Sequence, residues 1–169
     1  MVKNWRISSF NGVLLAAYFI PVWTVVAVRI MTSPIHGLYE RPNIAVALFM
    51  ADHIRLAAVG IVRAAWLLAL GRLTVVAFFA LFLVLASRPQ VRKSGGCNEA
   101  LAVALGIGSL ISFAAMLMAA QAGEAAALRL HATELLLLLG SAILLVVEPA
   151  PQAQGGQPLT GPTVGSAAP

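Results

Sequence analysis

Residues 100–123 read ALAVALGIGSLISFAAMLMAAQAG, 24 positions without a charged side chain, bracketed by Glu99 and Glu124. As an α-helix rising about 1.5 Å per residue, this run is ~36 Å long. The hydrocarbon core of a bilayer is about 30 Å thick. A helix on the surface of a soluble domain keeps one polar face; this one has none, so lipid is its natural solvent.

Three other runs share the property. Residues 10–28 hold no charge over 19 positions, residues 66–86 hold only Arg72 over 21, and residues 130–147 hold only Glu134 over 18. Together the four make up about half of the 169 residues. The whole chain is 60% hydrophobic and 10% charged, with a mean hydropathy of +0.92. Soluble domains run about 45–50% apolar and about 25% charged, so a soluble or disordered chain is excluded. A secretory signal is the other reading of 10–28. Its apolar part is longer than a signal core, however, and Arg29 follows with no A-x-A-like site. Pro21 inside this run is expected to kink the helix rather than end it, because neighbouring helices and water satisfy the freed carbonyl.

The net charge of +5 and a pI near 10.4 do not imply nucleic acid here. The basic residues sit in short connectors and at helix ends, where anionic headgroups explain them, and no Arg/Lys stripe alternates with stacking aromatics. The single cysteine, Cys97, rules out an internal disulfide framework.

The connector 31–65 is broken by Ser33-Pro34 and Arg41-Pro42, and turns helical again at Asn43. At about 100° per residue, Asp52, Arg55 and Arg63 fall within a wedge of roughly 80°. Met50, Ile54, Ala57 and Ile61 lie opposite, while Leu48 and Val59 intrude on the polar wedge. The pattern predicts an amphipathic helix over about 43–65, lying at the interface. The competing reading, a fifth span, sets Asp52, His53 and Arg55 in hydrocarbon at high cost. The tail 149–169 carries five prolines and four glycines among 21 uncharged residues, a Pro/Gly/Ala-rich composition that cannot offset its own ordering entropy. The expected fold is therefore an all-α integral membrane protein: four transmembrane helices, one amphipathic interfacial helix and a disordered-type tail.

Arg72 and Glu134 lie early in the second and fourth spans, which run in the same direction. Their positions place them within roughly 3 Å of one depth, and an interhelix ion pair is the natural way to keep both in a membrane. The alternatives are Arg72 snorkelling to headgroups with Glu134 neutral or paired to Arg129, and a proton-transfer role for Glu134. His131 and His53 are the candidate cofactor ligands, for haem or a chlorophyll-type pigment. Bis-histidine haem needs two imidazoles at equal depth on facing helices, and no repeated His spacing supports it, so no cofactor is predicted. Ala102, Gly106, Gly108, Ser109 and Ser112 form small-residue strips that suit close helix packing. The leucines at 135–139 are expected to face lipid, and Trp5, Trp66 and Tyr39 sit where aromatic belts form.

No phosphate-binding loop, zinc-protease helix, nucleophile elbow or covalent-haem motif is present, and no inverted repeat of a stand-alone transporter is discernible. The expectation is a non-enzymatic accessory subunit of a larger membrane complex, energy-transducing and in a bacterial inner membrane, whose partners are other membrane subunits and lipid. In size, number of spans and interfacial helix, the layout resembles the small membrane subunit of TRAP-type transporters. That resemblance implies a place beside a large multi-span permease. A haem- or pigment-bearing electron-transfer subunit is the remaining alternative.

Overall fold

The computed structural model describes residues 7–94 and 96–148. Lys3, Trp5, Arg6 and the tail 149–169 lie outside them. The described chain is helical: α1 (Ile7–Thr32), α2 (Pro34–Tyr39), α3 (Ile44–Asp52), α4 (Ala58–Ser87), α5 (Pro89–Ser94), α6 (Cys97–Gln121) and α7 (Ala125–Val147). Helices α1, α4, α6 and α7 are long and apolar enough to cross a membrane, which makes this a multi-pass, all-α membrane protein. Each neighbours two others in a ring that runs α1, α4, α6, α7 and back to α1. Exposed side chains such as Leu67, Leu110, Leu136, Ile143 and Val146 form its outer surface, as expected where lipid is the solvent.

All four spans are longer than the apolar runs that announced them, α6 by a single residue. Helix α1 continues through Pro21 and past Arg29, and α4 begins eight residues before Trp66. A charge near a helix end does not stop the helix when its side chain can reach the headgroups. Between the spans the core is aromatic and tight. Phe19 of α1 stacks on Phe79 of α4 with ring centroids 5.7 Å apart, and Trp23 meets Phe19 edge-on at 5.1 Å. A Cβ on Gly12 would stand 2.8 Å from Leu101 and 2.9 Å from Phe82, so α1, α4 and α6 come together there only because residue 12 has no side chain.

The continuous helix expected over 43–65 is two helices. Helix α3 stops at Asp52, and Arg55 adopts a left-handed φ of 53°. Ala57 is extended, and α4 starts at Ala58. The break leaves α3 only nine residues long, too short for a fifth span. It also frees α3 to turn into the bundle, where Ala45 packs with Ala119 and Ala127, and Val46 and Met50 pack with Ala115. Helix α2 folds back on α1, with Leu38 fully buried among Ile30, Ala47, Ala65 and Ala69. The segment 34–52 thus wedges one end of the ring, where α1 and α6 end and α4 and α7 begin. Asp52, Arg55 and Arg63 are all exposed, as their polar wedge implied, but they sit on three different pieces of chain. Ile54, expected on the apolar side, is also exposed.

Candidate functional site

Buried polar side chains gather at one level of the ring. Glu134 of α7 is 5% exposed and Arg72 of α4 is 3% exposed. Glu134 Oε1 accepts a hydrogen bond from the Trp23 indole Nε1 of α1 at 3.2 Å. Its Oε2 lies 3.1 Å from His131 Nδ1, one turn earlier on α7. His131 Nε2 is 3.0 Å from the carbonyl oxygen of Pro42, at the base of the wedge. The Arg72 guanidinium lies over the Trp23 ring, 5.7 Å from its centroid, a cation–π arrangement.

Helix α6 completes the layer by register. A Cβ on Gly108 would meet both Leu138 of α7 and Val75 of α4 at 3.3–3.6 Å. One turn beyond, Ser112 is buried, and the next turn brings Ala115 against Met50 and Leu68. Ser112 therefore sits level with Arg72 and Glu134, and each of the four spans gives one polar side chain to this plane. Among the described residues, Arg72 Nε and Nη1 and Ser112 Oγ form no hydrogen bond.

The expected Arg72–Glu134 ion pair is not made as a direct bridge. Both residues are inside and face the same indole, but Trp23 and His131 occupy the two carboxylate oxygens. Nor does Arg72 snorkel to the surface, and among the described residues the exposed Arg129 forms no ion pair with Glu134.

The proton arrangement follows from donor chemistry. A proline carbonyl only accepts, so His131 Nε2 carries a hydrogen. The contact between Nδ1 and Oε2 then holds one proton, whether as imidazolium with carboxylate or as imidazole with carboxylic acid.

The structure does not bring His131 and His53 together. His131 uses both ring nitrogens inside the bundle, whereas His53 is exposed at the end of α3 and stacks on Phe49 with centroids 4.9 Å apart. Among the described residues, no group of three His, Cys, Asp or Glu side chains is placed to hold a metal ion. The small-residue strips divide. Gly108 and Ser112 face inward and Ser109 is half-buried, while Ala102 and Gly106 face outward, with nothing within 4 Å of a Cβ at Gly106. The leucine run divides too. Leu136, Leu137 and Leu139 are exposed, but Leu138 is fully buried beside Gly108.

Trp23, Pro42 and Asn43 were not among the side chains expected at the site. Asn43 is fully buried and its Nδ2 donates to the Gly37 carbonyl at 2.8 Å, which ties α2 to the start of α3. A tryptophan in the middle of an apolar run was the available signal, since a buried indole N–H needs an acceptor. No protein-family model, curated protein or solved structure matches this chain.

Proposed function

We propose that the chain is a non-catalytic accessory subunit of a larger membrane complex, docking on partner helices through the outer face of α6. The observation that carries this reading is the outward strip of Ala102 and Gly106, where nothing lies within 4 Å of the missing Cβ of Gly106. Without a hydrophobic driving force in lipid, helices associate where small residues let backbones approach. This strip offers that surface to another chain, while its inward counterpart at Gly108 is already used. The polar groups best suited to chemistry support the same reading. The oxygens of Glu134 and the ring nitrogens of His131 are engaged inside the bundle, holding α1, α7 and the 34–52 wedge together. The finer placement, an energy-transducing complex of a bacterial cytoplasmic membrane, belongs to the same proposal and rests on the sequence reading.

The test is extraction of native membranes in mild detergent with this chain tagged, followed by mass and visible spectra of the eluate. The expected result is a multi-subunit complex in which Gly106→Leu lowers partner recovery about tenfold, the loss of one good packing contact of ~1.4 kcal/mol. The variant itself folds, because space surrounds residue 106. A wild-type chain that elutes alone, or a Gly106→Leu chain that keeps its partner, overturns the proposal. A large multi-span permease in the eluate assigns the complex to the transporter class. A visible band from the chain alone, lost in His131→Ala, replaces the reading with electron transfer.

A further inference from the structure

Met31 of α1 and Arg63, Trp66, Leu67, Leu70 and Leu73 of α4 line an open groove of about 490 Å³ on the outside of the ring. That is the size of a small-molecule cleft, about 300–1,000 Å³. The α4 residues follow one another at steps of three or four, or side by side, and so share one helix face. From Arg63 to Leu73 the groove runs ~15 Å along the helix, half of the roughly 30 Å hydrocarbon thickness and thus the depth of one leaflet. Below Trp66 its α4 wall is leucine alone. At its mouth stand Trp66, an amphipathic ring suited to the headgroup level, and the exposed Arg63.

The mouth is electropositive. Among the described residues Arg63 forms no ion pair. The first turn of α4 contains no acid and its N-terminus has no side-chain cap, leaving the partial positive charge of a helix start. The Cα–Cβ bonds of a helix tilt toward its N-terminus, which carries the Arg63 side chain toward that same end. Bulky Leu and Trp walls do not suit close approach of a partner helix; they suit a flexible chain.

We propose that this groove binds one anionic phospholipid, its phosphate held at Arg63 beside the α4 N-terminus and one acyl chain lying along Leu67, Leu70 and Leu73. The guanidinium fork matches phosphate oxygens two at a time, while the apolar wall accepts the chain with no polar group to desolvate.

The experiment is native mass spectrometry of the delipidated full chain in mild detergent, incubated with dioleoylphosphatidylglycerol or dioleoylphosphatidylcholine. One phosphatidylglycerol is expected per chain, with phosphatidylcholine retained about tenfold less, the size of one charge-assisted contact. Arg63→Gln is expected to bring phosphatidylglycerol down to the phosphatidylcholine level, and Arg63→Lys to restore most of it. Leu70→Trp, which fills the groove and leaves the charge in place, is expected to abolish retention of both. Equal retention of the two lipids by the wild-type chain overturns the proposal without recourse to any variant. So does unchanged retention by Arg63→Gln or Leu70→Trp proteins with wild-type thermal unfolding, or a photo-crosslinker at Leu67 that captures a protein instead of lipid in native membranes.

Discussion

The Pro42 carbonyl cannot donate, and that constraint propagates: it fixes the proton on His131 Nε2, which turns Nδ1 to Glu134, whose other oxygen receives the Trp23 indole. One carboxylate thus joins α1, α7 and the 34–52 wedge while facing the Arg72 charge. Glu134→Gln keeps an acceptor for Trp23 and gains a donor for His131 Nδ1, so it is expected to cost about 1 kcal/mol, the scale of one neutral hydrogen bond. Glu134→Leu leaves the indole, the imidazole and the guanidinium without their compensating group, and is expected to cost about 3–5 kcal/mol. Thermal unfolding of the two variants in detergent separates them, and equal losses would show that the carboxylate does not organise this layer. The charges at Arg72 and Glu134 were legible because each interrupts an apolar run. Their pairing was not, since depth along a helix is a property of sequence but azimuth about its axis is set by packing. Trp23 was hidden for another reason: inside an apolar run its ring counts as hydrophobic, and nothing in the letters says where its single N–H points.

At the scale of the element, the run 135–139 shows how composition and helical phase divide the information. Five consecutive leucines signal a lipid-facing helix, and most of the run does face outward. Yet about 100° per residue turns one member inward in every turn or so, and Leu138 packs fully buried against Gly108 and Val75. Leu138→Ala is therefore expected to cost about 2–5 kcal/mol through the cavity it leaves. Leu139→Ala, exposed on the same helix, is expected to stay within about 0.5 kcal/mol. Unfolding midpoints measured side by side test this, and indistinguishable values would contradict the observed phase of α7. The 43–65 segment shows the converse. Its polar wedge stayed in phase from Asp52 to Arg63, so periodicity alone predicted one helix. The left-handed turn at Arg55 breaks that phase, and α3 packs instead against Ala115 and Ala119 of α6, contacts distant in sequence that periodicity does not register.

For the whole molecule, α1 and α7 close the ring with polar contacts spaced along their length. Ser8 N donates to Glu148 Oε2 at 3.1 Å, Asn11 Nδ2 to Ser141 Oγ at 2.6 Å, and Trp23 Nε1 to Glu134 Oε1 at 3.2 Å. The pairing is antiparallel, as an even number of spans requires of the first and last helices, and it brings Ser8 and Glu148 to the same side of the membrane. The α1–α2 turn lies on the opposite side from the α4–α5 turn. Lys/Arg counts, five on each side, do not orient the ring, but the basic residues of 88–93 crowd one short connector, which favours its placement inside. Ser33 and Ser87 are exposed at those two turns, whereas Cys97 is buried. A membrane-impermeant maleimide applied to intact cells is thus expected to label Ser33→Cys and spare Ser87→Cys, with both labelled after lysis and the wild-type thiol slow until the protein unfolds. The reverse pattern would invert the orientation and leave the bundle intact. Labelling of both sites from one side would break the four-span topology itself, and with it the shared plane that sets Trp23, Arg72, Ser112 and Glu134 at one depth.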